Sequence, residues 1–103
     1  MTYKSRRSKA CAISPKVKIK VFERDDGRCI FCHAPGEPVA HVIARSHGGL
    51  GIEQNIVTAC MACHDRMDNS SDRATMQEYA MRYLRSIYPG WSKDKVIFKK
   101  GMT

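Results

Sequence analysis

Apolar positions follow a helical spacing at the two ends of this chain and a strand-like run in its middle. Val17, Val21 and Phe22, with Ile13 and Ile19 nearby, are spaced in a partly helical way up to Arg24. Ser14-Pro15 ahead of them offers an N-cap and a first-turn proline, which predicts a short helix. Asp25-Asp26-Gly27 stops it, because glycine tolerates the left-handed geometry of a C-cap or turn. Val39-Ala40-His41-Val42-Ile43 is short, apolar and β-branched, and predicts a strand. Arg45 to Gln54 contains Gly48, Gly49 and Gly51 and reads as a loop, and Asn55 to Ala59 reads as the return strand of an antiparallel hairpin. A helix is predicted from near Met61 to about Asp68, broken by Asn69-Ser70-Ser71, which cap the next one. There Met76, Tyr79, Ala80, Tyr83, Leu84 and Ile87 keep an i, i+3, i+4 spacing until Pro89-Gly90 ends the helix. Tyr79 and Tyr83 lie on its apolar face and read as core rather than as a platform for stacking bases. Trp91, Val96, Ile97 and Phe98 form a tail apolar enough to pack back.

A chain of 103 residues, 43% of them apolar, suffices for one domain with a modest core. Cores of that size commonly need a metal or a disulfide to offset chain entropy. No run approaches the roughly 20 apolar residues that span a bilayer, and the opening residues MTYKSRRSKA lack the apolar segment of a secretion signal. The expected setting is therefore cytoplasmic, with no membrane partner. In that reducing compartment paired cysteines are expected to ligate metal, and the odd total of five agrees with this.

Charge narrows the partner. The net charge is +8, and residues 1 to 20 hold Lys4, Arg6, Arg7, Lys9, Lys16, Lys18 and Lys20 with no acid. Lys93, Lys95, Lys99 and Lys100 face only Asp94 in the tail. Clustered positive charge attracts a polyanion through counterion release, nucleic acid being the usual one, although a solvated basic surface has the same composition.

Cys29-x2-Cys32 and Cys60-x2-Cys63 are separated by 27 residues. A two-residue spacer lets both sulfurs of a pair converge on one tetrahedral ion, and two pairs complete a four-thiolate structural zinc site. Two disulfides or two redox pairs are the alternative, disfavoured by the lack of any thioredoxin-like βαβ context. Cys11 stands apart and reads as a small buried hydrophobe or an idle thiol. A four-sulfur zinc has no open position, so any catalysis must come from other groups.

The order Cys-x2-Cys, His41-Val-Ile-Ala-Arg-Ser-His-Gly-Gly, Asn55 and Cys-x2-Cys-His64 resembles the HNH endonucleases over about residues 28 to 68, including small stand-alone phage members. The resemblance implies an α+β fold with a ββα-metal (His-Me finger) core, a four-cysteine zinc and flanking N-terminal and C-terminal helices. It implies His41 as general base, Asn55 as the residue tying down the hairpin loop, and His64 as ligand of a second, catalytic divalent ion. An imidazole titrating near neutrality suits proton abstraction from water, and an ion on the phosphate stabilises the leaving oxygen. Members commonly carry an aspartate or histidine ligand just before the base, where this chain has Ala40. Asp68, four residues after His64 and on the same helical face, is the candidate replacement. His47 is a weaker candidate, as ligand or phosphate contact. Mg²⁺ or Mn²⁺ suits such oxygen-rich, hydrated coordination, and a histidine also admits Ni²⁺ or Zn²⁺.

The chain is thus expected to divide into a basic flexible arm over 1–13, a nuclease domain over 14–88 with its core at 28–68, and a basic tail over 89–103. Arg6, Arg7, Lys9 and Arg45 are the expected phosphate contacts on double-stranded DNA. The expected activity is metal-dependent hydrolysis of DNA phosphodiesters, with phage DNA processing or packaging inside a host cell as the setting the resemblance suggests and a second copy or a phage protein as further partner. The alternative is a zinc-stabilised DNA-binding or adaptor module whose catalytic centre is weak or dead because of Ala40. An RNA-directed nuclease is a third expectation, separable by offering both polymers.

Overall fold

Helix α2 forms because Ser14 caps it: its hydroxyl accepts the Val17 N–H at 3.2 Å, Pro15 occupies the first turn, and the helix runs Pro15–Arg24. The computed structural model describes residues 5–99, so Lys4 and Lys100 lie outside the described residues. Asp26 and Gly27 take positive φ (56° and 66°) and turn the chain into the first cysteine pair. Strands β1 (Glu37–His41) and β2 (Ile56–Ala59) pair antiparallel, Ala40 opposite Val57 and His41 opposite Ile56, with an irregularity between Glu37 and Ala40. β2 leads directly into α3 (Met61–Asn69), completing a ββα unit, and α4 (Arg73–Ile87) packs on α3. The expected α+β fold with its hairpin, helix and clustered cysteines is the one observed.

The hairpin contributes Ala40, Val42, Ile43, Val57 and Ala59 to a core that α3 and α4 close with Met67, Met76, Ala80 and Leu84. Burial of each larger side chain is worth about 1.5–3 kcal/mol. A buried ion pair ties α2 to this core. Arg24 bonds both oxygens of Asp25 at 2.8 and 3.0 Å and the carbonyls of Glu53 and Ile56. Asp25 in turn accepts from the Thr58 N–H at 2.8 Å and from the Tyr83 hydroxyl. Burial acts to raise the Asp25 carboxyl, but these hydrogen bonds outweigh it and hold the group below its usual range.

Several expectations are corrected. The arm expected to be flexible is, over its described residues, a helix α1 (Arg6–Cys11), capped by the Ser5 hydroxyl accepting from the Ser8 N–H. A helix so short is marginal alone and depends on docking. β1 begins earlier than predicted and ends at His41, because Val42 and Ile43 turn their backbone N–H groups to Asn55. The loop contains a 3-10 turn at Arg45–His47. Asp72, not the Asn69-Ser70-Ser71 stretch, precedes the first residue of α4. Tyr79 is 49% exposed and rests on Phe31, ring centroids 5.7 Å apart, so it is no core residue. The tail does pack back: Trp91 and Val96 are buried, and the Leu50 N–H donates to Val96 and the Phe98 N–H to Gly48 at 2.8 and 2.7 Å.

Candidate metal and hydrolytic site

The first knuckle closes when the Cys29 N–H donates to the Ala34 carbonyl and the His33 N–H to the Cys29 carbonyl, at 2.7 and 2.9 Å, with His33 at φ +68°. The second is the first turn of α3, where Cys60 is the N-cap and accepts from the Cys63 N–H at 3.4 Å. The four sulfurs all lie within 4.8 Å of one another. All four cysteines are free, and the Cys32 and Cys60 sulfurs are 3.6 Å apart, well beyond a disulfide bond of about 2.05 Å. Burial acts to raise the Cys29 thiol, but the backbone N–H groups of Cys60, Cys32 and Phe31 outweigh it and bring it down to about 7. Cys63 is pushed up to about 12 by burial and by the neighbouring sulfurs. Four crowded thiols cannot all ionise together without a cation, and a tetrahedral zinc supplies the charge that lets them. The donor set therefore fits structural zinc. Among the described residues no other group of three or more His, Cys, Asp or Glu side chains converges in this way.

Asn55 is wholly buried at the foot of the loop. Its Oδ1 accepts from the Ile43 N–H at 2.9 Å, and its Nδ2 donates to the Ile43 and Leu50 carbonyls at 3.1 and 2.9 Å. Gly49 runs so close to this segment that a Cβ there would stand 1.6 Å from the Ile43 carbonyl oxygen. Thus Asn55 joins the stretch that follows β1 to the far side of the loop.

His41 ends β1, partly buried. Its Nε2 lies 2.8 Å from the Cys11 carbonyl oxygen. A carbonyl can only accept, so Nε2 carries the proton and Nδ1 keeps the lone pair. Burial lowers the ring's pKa below the ordinary 6.5. The Cys11 bond opposes that, the charges of Arg45 and His64 reinforce it, and Asp68 works against it. The net direction is downward, leaving a neutral imidazole at physiological pH.

On α3, His64 Nδ1 and Asp68 Oδ2 are 3.7 Å apart, one turn of helix separating them on a half-exposed face. A nitrogen and an oxygen donor so placed fit two positions of a hydrated divalent ion. Ala40 is fully buried within the apolar core, so no ligand comes from that position.

The N-terminal segment builds the other wall, a contribution that sequence reasoning missed. The Gly51 N–H donates to the Ala10 carbonyl at 2.9 Å, Arg7 donates to the Arg45 and Ser46 carbonyls, and Arg45 reaches the Ser8 carbonyl at 3.4 Å. Of the expected phosphate contacts, Arg7 and Arg45 are thus brought together but spend donors on backbone. Arg6 and Lys9 are exposed on α1. A carbonyl partner such as that of Cys11 has no signature in sequence. The only signal is Gly51, where a Cβ would stand 2.0 Å from the Ala12 carbonyl oxygen.

Residues 29–70, a span that holds the four cysteines, His41, Asn55, His64 and Asp68, match the family model described as HNH endonuclease. Over this segment, less than half of its length, the chain is similar to the HNH endonucleases. No curated protein matches it closely. The HNH segment ends at the close of α3, so α1, α2 and α4 lie outside it, including the Cys11 carbonyl that touches His41. No helix of the described residues is long and apolar enough to cross a membrane.

Proposed function

We propose that this chain is a metal-dependent DNA endonuclease in which His41 is the general base, with residues 14–88 acting as one nuclease domain. The observation that carries it is the 2.8 Å contact between His41 Nε2 and the Cys11 carbonyl, inside an HNH segment. With Nε2 committed as donor, Nδ1 accepts a proton from a water as its oxygen attacks phosphorus and the P–O bond to the leaving sugar breaks. Asn55 holds the loop that follows the strand and so keeps the ring at its angle, a positioning role. His64 and Asp68 would hold a divalent ion, Mg²⁺ or Mn²⁺ by the hardness of a hydrated site, with Ni²⁺ or Zn²⁺ also accepted by the imidazole. An ion held there would supply positive charge against the scissile phosphate and the leaving oxygen.

The second reading, a DNA-binding or adaptor module without activity, is favoured by one observation: with Ala40 in the core, only two protein donors face the proposed ion. The two separate in a plasmid assay with Mg²⁺ or Mn²⁺. The nuclease converts supercoiled plasmid to nicked or linear forms, and both His64→Ala and Asp68→Ala raise the metal concentration needed for half-maximal cutting, His64→Ala the more. Plasmid that stays supercoiled with every metal, while still shifting on a gel in a salt-sensitive way, overturns the nuclease in favour of the module. Preference for cutting RNA overturns the choice of substrate.

A further inference from the structure

Beside the hairpin loop lies a cavity of about 360 Å³ lined by Ile43, His47, Arg73, Gln77, Lys93 and Ile97. Its basic groups come from three places: the loop, the first residue of α4 and the 3-10 turn Lys93–Val96 beyond α4. No acid lines it. His47, Arg73 and Lys93 are exposed, and none of their side chains has an ion pair or hydrogen bond among the described residues. The acids next to them in sequence are committed elsewhere, Asp72 to Arg66 at 3.0 Å and Asp94 to Lys99 at 2.7 Å. Like charges gathered in one concavity repel and gain nothing from each other, whereas a polyanion laid across them releases its own counterions.

The cavity also adjoins the reactive strand. Gln77 Nε2 donates to the Val42 carbonyl at 2.9 Å, fixing α4 to the residue that follows His41. By contrast, the smaller cavity lined by Arg7 and Arg45 has guanidinium groups already bonded to backbone carbonyls.

We propose that the cavity formed by His47, Arg73 and Lys93 is a groove for the phosphate backbone of double-stranded DNA, flanking the bond to be cut. Long, separately rooted cations suit a spaced phosphodiester chain better than a single free phosphate, which would call for buried donors converging on one point. The proposal rests on the nuclease reading but is separable from it.

The test measures duplex affinity by fluorescence anisotropy in the His41→Ala protein, so that the probe is not cut, over roughly 50–200 mM salt. Arg73→Gln with Lys93→Gln is expected to weaken binding to unrelated sequences alike. The slope of log affinity against log salt should fall by about 0.9 for each phosphate that the variant no longer neutralises, near 2 for the pair. Both positions are exposed, so zinc content and circular dichroism should match the parent. An unchanged slope overturns the groove, and if the wild-type chain still cuts plasmid the nuclease reading survives that result. A reduced slope in a chain whose wild type never cuts keeps the groove and sinks the nuclease. A parent that binds no duplex, or that prefers duplex RNA, overturns the groove as a DNA site.

Discussion

Asn55 shows how much one side chain can hold. Buried completely, it satisfies one backbone N–H and two carbonyls across the loop. Each buried group left without a partner costs about 1–3 kcal/mol. Asn55→Ala should therefore lower stability by several such increments, and Asn55→Asp by more, since a carboxylate would face two carbonyl oxygens. Chemical denaturation followed by circular dichroism checks this, and an alanine variant as stable as the parent would show that water replaces the amide. At this scale much was legible. The four cysteines stood out because two CxxC pairs have metal-ligand spacing, and they do converge. The roles of His41, Asn55 and His64 came instead from the family resemblance and that of Asp68 from its helical spacing to His64, and these belong to the proposal. What was not legible was the partner of His41, a main-chain oxygen contributed by Cys11, thirty positions away.

At the scale of elements, the loop between β1 and β2 is gripped from both ends of the chain. Helix α1 reaches it through Gly51 and Arg7, and the tail reaches it through Gly48 and Leu50. The hairpin, α3 and α4 followed from periodicity, because their apolar faces are local patterns. The helical state of residues 6–11 did not, because no amphipathic face drives it and docking supplies its stability. Gly51→Ala tests that docking. A Cβ 2.0 Å from the Ala12 carbonyl oxygen forces α1 away. We expect faster hydrogen exchange at the amides of Lys9 and Ala12, about 1–3 kcal/mol lost in stability, and a fall in kcat larger than any rise in KM for DNA. If kcat is untouched while α1 is seen to exchange freely, the Cys11 carbonyl has no part in orienting the base.

For the whole molecule, two devices hold the parts in register. The four-cysteine cluster joins the knuckle after α2 to the start of α3, and the Arg24–Asp25 pair joins α2 to β2 and α4. Together they tie the hairpin, α3 and α4 into one core, and the proposed mechanism requires that a base on β1 and an ion on α3 reach the same phosphate. Arg7 and Arg45 line one cavity beside the loop, and His47, Arg73 and Lys93, the proposed backbone groove, line another.

The central claim is that His41 Nδ1 takes the proton of the attacking water. Its most direct test is the single-turnover cleavage rate of a labelled DNA duplex at saturating Mn²⁺, wild type against His41→Ala, followed from neutral to acidic pH. The predicted result is a loss of about 10²–10⁴-fold at neutral pH with duplex affinity unchanged. The wild-type rate should stay level around neutrality and fall only as pH drops below the ordinary imidazole value of 6.5, because burial lowers the His41 pKa and the base works unprotonated. A variant that cuts within about tenfold of wild type would contradict it, since a positioned general base contributes more than that.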